Sequence, residues 1–224
     1  MGEPGGKAGR TETWVVARRQ RPVVHGHAVI ERLGIGDDFL LFVGTIEPRK
    51  GLETLLRAFE QIAENNKTLQ LVMAGQRGWL AQELLKEIRE SSLADRIKLT
   101  GYLNDEDLRA LYSSCRVFVY PSIYEGFGLP PLEAMACGAP VIASRIKAIE
   151  EVCGESAMLL EPRSVNSLAT SLNKILNDKN FRAELVSAGR KRAARFSWKR
   201  TAELTRAVYA EAAERFSSRQ FRNR

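Results

Sequence analysis

Residues 117–144 constrain the fold more than any other part of this chain, because their residue types permit only one order of local structures. Val117, Phe118, Val119 and Tyr120 form a β-branched and aromatic run closed by Pro121, which suits a buried strand rather than an amphipathic helix. A loop with Gly126 and Gly128 follows. Pro130 and Pro131 fit the entrance of a helix, where backbone N–H groups have no internal partner, so a helix is expected to begin near Pro131. Gly138 and Pro140 stop it early, and residues 141–143 resume an apolar strand.

Glu125 and Glu133 flank this loop and helix start, separated by seven residues. Glycines let a ligand approach the backbone, and free N–H groups at a helix start attract anions. Since Pro130 and Pro131 have no N–H, a phosphate there would rest on amides such as those of Gly128, Leu129 and Leu132. Carboxylates beside an anion site serve something other than phosphate, and sugar hydroxyls are the natural candidates, because carboxylates accept hydrogen bonds while phosphates need donors.

On these residues, Glu125-Gly-Phe-Gly-Leu-Pro-Pro-Leu-Glu133 followed by Ala-Met-Ala-Cys-Gly-Ala-Pro-Val-Ile, the chain resembles the retaining, nucleotide-sugar-dependent glycosyltransferases of the glycogen synthase and sucrose synthase type, with their E-x7-E signature. A second match is Gly44-Thr-Ile-Glu-Pro-Arg-Lys-Gly51, which is similar to the family segment whose lysine contacts the donor diphosphate; Lys50 takes that place and Arg49 stands beside it. Many relatives carry an arginine directly after the strand glycine, where this chain has Thr45, so the second positive contact is left open. Cations at a helix N-terminus oppose the dipole unless an anion joins them, and a diphosphate would resolve that conflict. The resemblance further implies that Glu133 binds the ribose hydroxyls, that the backbone at Tyr102 and Leu103 contacts the base, and that Glu125 is catalytic, facing the transferred sugar and supporting its oxocarbenium-like charge. Gly44, Gly75, Gly126, Phe127, Gly128 and Leu129 complete the expected nucleotide-sugar site, with no metal and no cofactor besides the donor. The Glu-Pro-Arg-Lys and Gly-Gln-Arg-Gly-Trp segments look like those of bacterial mannosyltransferases and point to GDP-mannose.

The rest of the chain fits an α/β fold. Strands are expected at 39–43, 69–74, 97–100, 117–120, 141–143 and 157–160, and helices at 52–63, 79–91, 104–113, around Glu150, and at 165–177, 181–194 and 198–216. Leu52, Leu55, Leu56, Phe59 and Ile62 recur at three and four residue intervals, the signature of one buried helix face. Such alternation predicts a Rossmann-like parallel sheet of six strands with helices on both faces, ligands gathering at the carboxyl ends of the strands. Gly44, Gly75, Gly101 and the loop 121–129 all fall there. The expected division is an unassigned N-terminal segment over 1–37, a nucleotide-sugar-binding domain over 38–195, a C-terminal helix over 196–216 and a basic tail over 217–224.

The resemblance covers residues 39–216, the carboxyl-terminal, donor-binding half of a two-domain GT-B enzyme. An N-terminal acceptor domain is therefore the partner expected to be missing, and the chain alone is expected to bind donor while transferring sugar poorly or not at all. Neither a Walker loop nor Gly-x-Gly-x-x-Gly follows the first strand, which argues against nucleoside triphosphatase and dinucleotide dehydrogenase chemistry. A nucleotide-sugar epimerase or noncatalytic binding module on the same scaffold is the alternative.

Charge adds a third class. Of 224 residues, 34 are Lys or Arg and 27 Asp or Glu, a net +7. The excess gathers at Arg18, Arg19 and Arg21 and at Arg190, Lys191, Arg192, Arg195, Lys199 and Arg200 onward, which fits a solvated basic face with possible peripheral contact to an anionic inner membrane. Nucleic acid is disfavoured, since aromatics do not interleave with these charges. No apolar run approaches the ~18 residues of a membrane span, no secretory core opens the chain, and Cys115, Cys137 and Cys153 are odd in number and far apart, which together predict a cytoplasmic protein. His25 and His27 lack neighbouring ligands and predict no metal site.

Overall fold

A computed structural model describes residues 26–222, with side chains through residue 215. The basic residues Arg18, Arg19 and Arg21, His25, and the side chains of the basic tail over 217–224 lie outside the described residues.

Six parallel strands form one sheet: β1 (Phe39–Val43), β2 (Gln70–Ala74), β3 (Ile97–Gly101), β4 (Val117–Tyr120), β5 (Val141–Ser144) and β6 (Met158–Leu160). Their order is β3-β2-β1-β4-β5-β6, the Rossmann arrangement, in which the winding direction reverses between β1 and β4. β4 is buried throughout, as its continuous apolar run requires of a central parallel strand, and β6 at the edge is only half-buried.

Nine helices are described: α1 (Gly26–Arg32), α2 (Leu52–Ala63), α3 (Gln82–Glu90), α4 (Asp105–Ser114), α5 (Leu129–Cys137), α6 (Lys147–Cys153), α7 (Val165–Asn177), α8 (Lys179–Ala193) and α9 (Trp198–Arg222). α2 packs with α7, while α1 packs with α4 and α5 with α8, so the sheet is covered on both faces. The apolar stripe of α2 is buried as its periodicity predicts, each large side chain worth about 1.5–3 kcal/mol on removal from water. Arg96 closes its C-terminal end and the turn that follows, donating to the carbonyls of Ala63, Asn66 and Leu69 and lying over the Phe59 ring.

Local chemistry shifts several boundaries from those expected. The helix read as 79–91 starts at Gln82, because Leu80 is left-handed at φ 55° and the Gly78 N–H bonds Ile46, pinning this stretch to the loop after β1. α8 starts at Lys179 rather than 181, since the Asp178 side chain caps the Phe181 N–H at 2.9 Å. α5 starts at Leu129, two residues ahead of Pro131, with its prolines in the first turn. α1, unassigned from sequence, joins the core through Ile30 and bonds α4 through Arg32 to Asp107 at 2.6 Å. Residues 198–215 of α9 are exposed on every side, Trp198, Leu204, Val208 and Tyr209 included. Cys115 and Cys153 pack into the core, and burial pushes the Cys153 thiol up to about 12, out of the reactive range.

Candidate active site

The loops after β1 and β4 leave the sheet on either side of the point where strand order reverses, and backbone contacts lock them together. The Ile123 N–H donates to the Arg49 carbonyl at 2.8 Å. Gly51 sits at φ 65°, and a Cβ there would stand 2.2 Å from the Pro121 carbonyl oxygen, so only glycine allows this approach. A similar close approach occurs at Gly75, where a Cβ would stand 2.0 Å from the Gly44 carbonyl oxygen.

This zipper brings Arg49, Lys50 and Glu125 into direct contact. Lys50 ends a turn of 3-10 helix (Pro48–Lys50) just before α2, and only 5% of its surface is exposed. Its Nζ donates to Glu125 Oε1 at 2.6 Å and to the Tyr120 hydroxyl at 3.0 Å, and that hydroxyl donates to the same carboxylate oxygen at 2.7 Å. Arg49 lies 3.3 Å from the other oxygen of Glu125 and 2.6 Å from Glu47, and donates to the Tyr124 carbonyl at 3.2 Å. The cations at the start of α2 thus already have an anion, Glu125, where the sequence suggested a ligand. Tyr120 stacks on Phe42 and Phe118, which fixes its ring.

Burial pushes the Glu125 carboxyl up, but the hydrogen bonds from Lys50 and Tyr120 outweigh it and hold it below the ordinary carboxylate range. Burial, then Glu125 itself, raise the Tyr120 phenol far above its usual value, so it stays a donor. A lowered folded-state value means the pair's contribution is complete above the unfolded carboxylate value of ~4.3 and is lost as pH falls through the folded one. In urea unfolding, the stability gap between wild type and Glu125→Gln should stay constant from neutral pH to ~4.5 and narrow below it. A gap independent of pH down to ~3 would contradict the pairing.

Glu133, on α5 and 9% exposed, is held by a different residue, accepting from the Tyr112 hydroxyl at 3.1 Å. Gly128 caps α5 at φ 106° against Ile149. Gly44, Gly75 and Gly101 line the carboxyl edge of the sheet, the Gly44 N–H bonding the Ala74 carbonyl and the Gly75 N–H that of Gly101, each at 2.9 Å. Tyr102 is 74% exposed while Leu103 is buried, so only the first presents a side chain outward. Gly126 and Leu129 are exposed, and Phe127 meets Phe196 edge to face at 6.4 Å. A cavity of about 780 Å³ opens beside Arg49, lined also by Glu47, Leu80, Ala81 and Arg163, and Glu125, Glu133 and Tyr102 are not in its wall. Sequence reasoning missed Tyr120 and Tyr112 as polar members of the site; the signal at Tyr120 was a tyrosine at the last position of a strand that enters the ligand loop. Among the described residues there is no cluster of three or more metal-ligating side chains, and His27 faces Asp37 at 3.4 Å.

The profile of the family described as glycosyl transferases group 1 matches residues 29–192, most of the described body. The chain belongs to that family. Among its group 1 relatives, the O-antigen chain mannosyltransferase B of Escherichia coli is 38% identical over 71% of this chain. The MMP alpha-(1->4)-mannosyltransferase of Mycolicibacterium hassiacum is also 38% identical, over 76%. Sucrose-phosphate synthase from Thermosynechococcus elongatus superposes with a TM-score of 0.71 at 32% identity over 83% of this chain. The fold is shared more widely, with Anabaena HepE solved in complex with UDP-glucose, TM-score 0.76 at 22% identity. This group 1 chain spans 42% of the length of each of the two mannosyltransferases and 49% of the synthase. Among the described residues no helix is long and apolar enough to cross a membrane.

Proposed function

We propose that this chain is the donor-binding domain of a retaining hexosyltransferase that takes a nucleoside diphosphate sugar. The observation that carries the reading is the 2.6 Å contact between Lys50 and Glu125 at the carboxyl ends of β1 and β4. It sets a cation suited to a diphosphate against a carboxylate suited to a hexose, at the place where ligands bind in open α/β sheets. The donor diphosphate takes Lys50 and Arg49 as its counter-charges, with helix amides near Gly128 and Leu129, so that no metal is needed at the phosphates. Glu125, released from Lys50, faces the hexose and stabilises positive charge on its ring as the nucleoside diphosphate departs. Glu133 accepts from the ribose and the outward ring of Tyr102 lies against the base.

The mannosyltransferase relatives favour mannose as the sugar. The chain's short span against its relatives supports an acceptor-binding domain as the completing partner, without which donor is bound and little sugar moves. We place the protein on the cytoplasmic side, where the thiols of Cys115, Cys137 and Cys153 remain reduced.

Thermal shift with GDP-, UDP- and ADP-sugars tests this. Stabilisation follows mass action, about 2.7 kcal/mol at one hundred times Kd. A nucleoside diphosphate sugar, GDP-mannose first, should raise Tm in wild type and not in Lys50→Met. If none of these sugars shifts wild type, the reading is lost; turnover onto acceptor by the isolated chain would overturn only the need for a second domain.

A further inference from the structure

A second cavity, of about 670 Å³, opens at the amino ends of β4 and β5, the edge of the sheet opposite Glu125. Arg116, Lys179, Arg182, Arg190 and Lys191 line it, and no carboxylate does. Of the acids beside it, Asp38 pairs with Arg116 at 3.0 Å and Asp178 caps α8 through Phe181. Its three arginines rest against the protein itself. Arg116 also donates to the Leu176 carbonyl, Arg182 donates to that of Ile175, and Arg190 lies against Gly138 at the end of α5. Arg190 and Lys191 suit the carboxyl end of α8, but Lys179 and Arg182 occupy its first turn, which holds no acid. Cations there oppose the helix dipole and repel one another, a cost that an anion in the cleft would remove.

We propose that this cleft is a second phosphate-binding site, separate from the Lys50 cradle, which takes the phosphate group of a soluble or lipid-linked ligand. Arginines held in place contribute positive charge at little further ordering cost, and exposed Lys179 and Lys191 close on the anion from the rim. The site needs none of the residues assigned to the donor, so it stands whether or not the donor reading does.

The test uses the full chain with two probes, inorganic pyrophosphate by titration calorimetry in the presence of excess GDP, which fills the Lys50 cradle, and phosphatidylglycerol-containing phosphatidylcholine vesicles by sedimentation. Lys179→Glu with Lys191→Glu changes two exposed side chains and leaves the core intact, and Lys179→Arg with Lys191→Arg is the charge-preserving control. At physiological salt the Debye length of about 8 Å shields the donor cradle on the opposite edge from this change. The glutamate pair should weaken binding by about tenfold or more, with the arginine pair unaffected. Loss with pyrophosphate names a soluble phosphate as the ligand, and loss with vesicles names a headgroup. The proposal falls if the glutamate pair binds both probes as tightly as wild type, or if wild type binds neither.

Discussion

Lys50→Met is expected to lower folding stability by about 3–5 kcal/mol and to abolish nucleoside diphosphate binding. The reason lies in what remains: the Glu125 side chain, 10% exposed, keeps a negative charge whose nearest cation is gone, leaving neutral hydroxyl donors such as Tyr120 and a longer contact from Arg49 to hold it. Removing both charges is a different perturbation. Lys50→Met with Glu125→Gln leaves no uncompensated charge and should recover most of the lost stability, since a buried pair replaced as a unit costs little. Binding should not return, because the diphosphate still lacks its lysine. Urea unfolding of the four proteins in this cycle checks the first claim and calorimetry with GDP the second. A single mutant as stable as wild type would mean the pair is not sealed from water as the structure has it.

Gly51→Ala is the second large effect. The added methyl meets the Pro121 carbonyl oxygen at 2.2 Å, and the residue is held at φ 65°, so the backbone penalty and the overlap add to about 2–4 kcal/mol. Gly34→Ala supplies the control, since Gly34 also sits at φ 65° but has open space around its Cβ and should lose only about 1 kcal/mol. The difference between the two measures how tightly the β1 and β4 loops are pressed together. Weaker donor binding should accompany it in Gly51→Ala alone, because parting the loops lengthens the Ile123–Arg49 bond and the reach from Lys50 to Glu125.

Much of this was legible in the sequence because the signals were local. Prolines 130 and 131 force a helix start whatever packs around it, β-branched runs between Gly and Pro read as strands, and the heptad-like stripe of α2 reads as a buried face. The motif residues around Glu125 and the Pro-Arg-Lys turn identified the family whose profile then matched. Where the readings slipped, a longer-range contact had won. The start of α3 moved because Gly78 bonds the loop after β1, and α1 gains its place from α4, 75 residues away at Asp107.

The sequence by itself determined the alternation of strands and helices, hence a parallel sheet, and which loops carry acids, cations and glycines at its carboxyl edge. Only the tertiary structure decided that β1 and β4 are neighbours across the reversal of strand order, which sets Lys50 against Glu125, 75 residues apart in the chain, and puts Tyr120 between them. Propensity and periodicity act over one turn or one strand. An ion pair is fixed by a distance of a few ångströms, and the folded backbone alone supplies that distance.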